Sequence, residues 1–122
     1  MSVETLTTFS GALSGRKNAL RKRSFTELSA LPQLSREALP CRDAVGRLGI
    51  FRRSLPDGAL LVMLRCEWSA PAEPEFVHYV GFVKLPDDSW SEQRPEIFDK
   101  SIRAEFDQSL RTVCPRGWPV GG

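Results

Sequence analysis

Apolar residues cluster in three stretches near the middle of the chain, each bounded by turn-forming residues. Leu48 to Leu55, Ala59 to Trp68 and Phe76 to Leu85 are rich in Val, Leu, Ile and Phe, and this pattern predicts three antiparallel strands in a meander. The first connection reads Leu55-Pro56-Asp57-Gly58-Ala59. Pro56 presets φ for the first turn position and Gly58 tolerates positive φ, so a three-residue hairpin loop with a bulge is expected. With Leu55 opposite Ala59, Phe51 meets Met63, Ile50 meets Leu64 and Leu48 meets Cys66. The second connection, Ser69 to Glu75, holds Pro71 and Pro74, which end the flanking strands. Symmetric closure there places Trp68 opposite Phe76, Cys66 opposite His78, Leu64 opposite Val80 and Val62 opposite Phe82.

Side chains alternate across a strand. One face therefore carries Leu48, Ile50, Leu60, Val62, Leu64, Cys66, Trp68, Phe76, Val80 and Phe82, and must be core. The other carries Phe51, Leu61, Met63, Val77, Tyr79, Val83 and Leu85, interrupted by Arg65 and Glu67. It too is rich in apolar residues for a surface left in water, so either helices cover both faces or a second chain covers one.

Outside the meander the periodicity changes. Phe98, Ile102, Phe106, Leu110 and Val113 form an apolar stripe at helical spacing, and Pro95 suits a first helical position, so a helix is expected from about 95 to 113. Glu96 with Lys100, Asp99 with Arg103 and Asp107 with Arg111 are acid-first pairs one turn apart on it. Toward the N-terminus, Leu20, Leu28 and Leu31 share a helical face, which suits a helix over 16–31. Ser24-Phe-Thr-Glu27 has capping-box spacing, which instead starts a helix at 25, and the sequence leaves both open. Residues 32–46, interrupted by Pro40, suggest short helical turns such as Ser35 to Leu39. Pro86-Asp87-Asp88-Ser89 predicts a turn leading to a short edge strand at Trp90 to Gln93. The expected fold class is α+β: a three- or four-stranded antiparallel meander flanked by an N-terminal helical segment and a C-terminal amphipathic helix. The expected division is a flexible arm over 1–15, one domain over 16–114 and a flexible tail over 115–122.

The length, 122 residues, suits one domain able to bury a core unaided. No run approaches the roughly 18 apolar residues of a membrane span, and no apolar leader follows the start. Three widely spaced cysteines, Cys41, Cys66 and Cys114, suit neither a disulfide framework nor a zinc site. A cytoplasmic protein without metal or cofactor is the expectation. Charge is unevenly placed: residues 1–53 hold ten Lys or Arg and four acids, a balance of +6, whereas 54–122 hold seven and eleven, a balance of −4. Such asymmetry suits either an acidic partner or attraction between the two halves.

No catalytic constellation is complete. Cys66 and His78 meet across a hairpin in the expected register, but on the core face, with no third group to orient the imidazole. Glu73 with Glu75 and Asp87 with Asp88 are acid pairs in turns, and general acid or base work needs a burial that solvated turn acids lack. The closing Gly121-Gly122 resembles the tail of ubiquitin-like proteins, although the element order is not theirs. The sequence therefore favours a small non-enzymatic protein-binding protein of the adaptor, inhibitor or accessory kind. It would act through the second sheet face and adjoining loops, with Phe51, Met63, Arg65, Tyr79 and Trp90 as contact residues and another protein or a second copy as partner. The alternative is a nucleic-acid-binding accessory protein using Arg16, Lys17, Arg21, Lys22, Arg23, Arg52 and Arg53 on phosphates. The order helix, three strands, helix is similar to that of double-stranded-RNA-binding domains in element order alone. The C-terminal helix, opening Pro-Glu-Ile-Phe-Asp, lacks a basic first turn to face a phosphate backbone.

Overall fold

A computed structural model of the chain describes residues 3–41, 44–69 and 76–113. Five strands form one antiparallel meander in the order β1 (Leu34–Cys41), β2 (Ala44–Ser54), β3 (Leu60–Ser69), β4 (Phe76–Lys84) and β5 (Trp90–Ser91). Helices α1 (Val3–Arg21) and α2 (Phe25–Ser29) precede the sheet. A 3-10 turn at Pro95–Phe98 and helix α3 (Lys100–Val113) follow it. The fold is α+β, with five strands where three or four are expected.

Both predicted registers are present. Leu48 faces Cys66, Ile50 faces Leu64 and Phe51 faces Met63, while Cys66 faces His78, Leu64 faces Val80 and Val62 faces Phe82. The hairpin turn sets the first of these: Leu55 N–H donates to Ala59 O at 2.9 Å, and Gly58 sits at φ 88°. The β4–β5 turn repeats the device with Leu85-Pro86-Asp87-Asp88-Ser89. Leu85 N–H donates to Ser89 O at 2.8 Å, and Asp88 takes the left-handed position at φ 71°. Asp there is strained relative to Gly, but its carboxylate does what Gly cannot. Asp88 Oδ1 accepts the Phe25 N–H at 2.7 Å, at the first turn of α2, where a negative charge is favoured. Ser24 and Glu27 form the expected capping box at the same helix end.

Helices cover both faces of the sheet. On one, Leu13 and Leu20 of α1 and Leu28 of α2 pack with Leu48, Ile50, Leu60, Val62, Leu64, Cys66 and Phe82. On the other, Phe106 and Leu110 of α3, with Ile97, pack on Phe51, Leu61, Met63 and Val83. Gly49 lets α3 approach, since a β-carbon there would lie 3.1 Å from Leu110 and 3.2 Å from Phe106.

Three sequence expectations are corrected. Residues 3–15 belong to α1, not to a loose arm: Leu13 and Leu20, two turns apart, anchor the helix in the core. The basic cluster accordingly falls partly within α1 (Arg16, Lys17, Arg21) and partly in the turn before α2 (Lys22, Arg23). Residues 34–41 form a strand, not helical turns, and Pro40 is accommodated because β1 is an edge. Finally, the 95–113 segment is interrupted at Asp99, whose extended backbone (ψ 121°) ends the 3-10 turn and whose Oδ1 accepts the Ile102 N–H, capping α3. The break turns Ile97 inward and leaves Phe98 59% exposed, outside the stripe it was expected to join. The 115–122 tail, Cys114, and the acid pair Glu73 and Glu75 lie outside the described residues.

Candidate interaction surface

The five expected contact residues separate into three groups. Phe51 and Met63 are buried beneath α3, and Phe51 stacks on Phe106 with ring centroids 5.1 Å apart. A partner cannot touch them in this fold. Their apolar face is covered from within the chain, which removes them from any contact surface.

Arg65 and Tyr79 are partly buried, in a polar network where α3 crosses the sheet. Tyr79 Oη donates to Asp107, with oxygens at 2.6 and 2.7 Å, and Arg65 donates to Glu67 at 2.6 Å. Arg65 Nε lies 3.0 Å from Asp107 Oδ1 but is not aligned to hydrogen-bond it, so that contact is an ion pair only. Arg47 adds a bond to Glu67 at 3.3 Å. Burial raises the Tyr79 phenol above its ordinary value, and the bond to Asp107 adds to this. Burial pulls the Arg65 guanidinium down, but its bonds to Glu67 and Tyr79 outweigh that and hold it above its usual value. The geometry of this arrangement fits a clamp between helix and sheet.

Trp90, by contrast, is 48% exposed, with the Arg21 guanidinium 4.2 Å from its ring centroid. The exposed large apolar side chains among the described residues are Val77, Trp90 and Phe98. Val77 lies on β4 and Phe98 in the 3-10 turn that packs against β4, whereas Trp90 lies opposite Lys84, seven residues along from Val77, and on the opposite face, beside α1. Arg103 links Phe98 to Tyr79, its guanidinium 4.6 Å from the Tyr79 ring centroid and 6.0 Å from that of Phe98. The Val77 and Tyr79 signal lies in the sequence, but only the break at Asp99 leaves Phe98 exposed.

β4 is paired along only part of its outer side, and Gly81 there is buried, with Ile97 beside it. β5 pairs with it only at Val83 and Lys84. Leu85 N–H points toward β5, and backbone direction repeats every second residue, so Val77, Tyr79 and Gly81 aim their N–H and C=O groups outward. No described residue pairs with those groups.

The basic residues are dispersed. Arg16 Nε donates to Glu37 at 3.1 Å, Lys17 and Arg21 share Glu92 at 2.8 and 3.0 Å, and Arg53 pairs with Glu105 of α3. Arg52 and Arg53 are neighbours on β2 and so point to opposite faces. Lys22 and Arg23 remain exposed beyond α1. Four of the seven expected phosphate ligands thus hold acids, and no single face gathers the set.

Cys66 and His78 are register partners, as expected, but do not form a reactive pair. Cys66 is buried and burial pushes its thiol up to about 11, whereas His78 is exposed. A thiol held protonated in this way is a poor nucleophile. Among the described residues, no three His, Cys, Asp or Glu side chains gather as metal ligands. No helix is long and apolar enough to cross a membrane. Compared with known family models, curated proteins and solved structures, the chain matches none.

Proposed function

We propose that this chain is a small non-enzymatic protein-binding protein, of the accessory or inhibitor kind, whose contact surface is the β4 edge of the sheet. The observation that carries the reading is that Val77 on β4 and Phe98 in the 3-10 turn packed against β4 stand exposed while helices cover the apolar cores on both sheet faces. Exposed apolar side chains beside unpaired strand groups suit strand addition, in which backbone bonds supply affinity and flanking side chains select the partner. Tyr79 stays in the proposed site from the sequence reading, Val77 and Phe98 join it, and Phe51, Met63, Arg65 and Trp90 leave it.

Affinity capture with the full chain tests this, comparing Val77→Lys and Phe98→Ser with Arg23→Glu, with and without nuclease. Loss of a specific bound protein in the edge variants alone supports the reading. Loss in Arg23→Glu alone, together with nuclease sensitivity, would replace it with nucleic-acid binding through the exposed Lys22 and Arg23.

A further inference from the structure

Arg103 is a cation that the fold holds in place without neutralising. Its expected partner, Asp99, lies one turn before it and Asp107 one turn after, but both carboxylates are engaged elsewhere. Asp99 Oδ1 accepts the Ile102 N–H, while Asp107 accepts the Tyr79 hydroxyl and faces Arg65. In that network Arg47 and Arg65 stand against Glu67 and Asp107, so the charges balance, and among the described residues Arg103 is left without an acid. The guanidinium is nevertheless fixed. Nη2 donates to Ile97 O at 3.3 Å, and the group lies 4.6 Å from the Tyr79 ring centroid and 6.0 Å from that of Phe98. Nε is buried, whereas Nη1 makes no bond to a described residue and still reaches solvent. One donor of a planar, pre-oriented cation thus remains open beside an aromatic ring that is 59% exposed.

We infer that Arg103 receives a carboxylate from the protein partner, presented by an Asp or Glu whose neighbouring apolar side chain rests on Phe98. This rests on the reading of Val77, Tyr79 and Phe98 as the contact surface. Charge selects the occupant. One cation without an acid matches one monoanion, and with Nε sealed and Nη2 engaged the carboxylate binds through Nη1 alone. A phosphate dianion would bring a second negative charge to the same donor, on the side of α3 where Asp107 already holds the Tyr79 hydroxyl. The apolar requirement comes from the surroundings: Phe98 flanks the guanidinium, and Val77 follows Tyr79 on the same face of β4. An apolar side chain covering Phe98 keeps water from the ion pair and so strengthens it.

Random peptides displayed on phage and selected against the full chain supply the probe. Enriched peptides should carry Asp or Glu beside an aromatic or aliphatic residue. Replacing that acid by Asn or Gln should weaken binding to the wild type about tenfold, and should weaken binding to Arg103→Gln no further, as a directly coupled pair requires. Selection on Arg103→Glu should enrich Lys or Arg instead, and circular dichroism checks that each variant is folded. A purely structural Arg103 would lower the stability of Arg103→Gln without changing which peptides bind. Enriched peptides without acids, an acid whose loss costs the wild type and Arg103→Gln equally, or a phosphoserine that binds more tightly in place of the acid overturns the inference. If such peptides still lose binding in Val77→Lys and Phe98→Ser, the contact surface stands without the charge. If no peptide is enriched, or none responds to any of these substitutions, the inference and the proposed function fall together.

Discussion

The two faces of the sheet are closed by different chemistry. Under α1 and α2 the buried layer is apolar apart from Lys84, whose Nζ donates to Arg21 O at 2.9 Å and so caps the C-terminal end of α1. Under α3 an apolar patch adjoins the Arg65, Glu67, Tyr79 and Asp107 network. Apolar burial is tolerant of direction, whereas ion pairs and hydrogen bonds hold only at a fixed geometry. The first face supplies cohesion, and the second adds a fixed orientation for α3.

Substitutions can separate these roles. Phe106→Ala removes the ring that α3 places on Phe51, near Tyr79. It should cost about 3–5 kcal/mol in chemical denaturation, comparable to the loss of Leu28 from the opposite face at about 2–5 kcal/mol. A much smaller effect of Phe106→Ala would mean that α3 is not part of the cooperative fold. Asp107→Ala strips a partner from Tyr79 and Arg65 and should cost roughly 1–3 kcal/mol. The double replacement Arg65→Met with Asp107→Leu should recover much of that loss, because it leaves no half-buried charge without a partner. If it does not, the network contributes cohesion as well as orientation.

On the α1 side, Asp88→Ala keeps the left-handed backbone and loses the bond to Phe25, so melting experiments should show a loss of about 1 kcal/mol. Asp88→Gly should lose less, since relief of the positive φ offsets part of the cap. The smallest effect concerns acid. The bond from Lys17, with a further contribution from Arg21, holds the Glu92 carboxyl below its usual range. A depressed carboxyl stabilises the fold above its unfolded pKa, and that contribution fades as pH falls from there through the folded value. In Glu92→Gln the stability curve should be flatter across that window than in the wild type.

What the sequence made legible follows from how local the instructions are. The β2–β3 and β4–β5 turns are written in consecutive residues, Leu-Pro-Asp with Gly58 or Asp88 following, and they set the β2–β3 register and the edge strand. The alternation of Val62, Leu64 and Cys66 against Leu61 and Met63 announced two buried faces. β1 was hidden because its residues are ordinary for a loop, and its strand character comes from pairing with β2. The first part of α1, before residue 16, was hidden because Leu13 and Leu20, two turns apart, are too sparse a stripe to read before a sheet is there to bury them. The contact surface was misplaced because apolar sequence reports what must leave water and not what covers it. Phe51 and Met63 carry the same signal as Val77, and only the path of α3 distinguishes them.

The meander order has a kinetic consequence. Every strand bonds to its neighbour in the chain, so each hairpin can close across a short loop before the helices arrive. Loop closure then requires little entropy at any step, and the expectation is rapid zippering outward from the Gly58 turn, faster than for sheets that interleave distant segments.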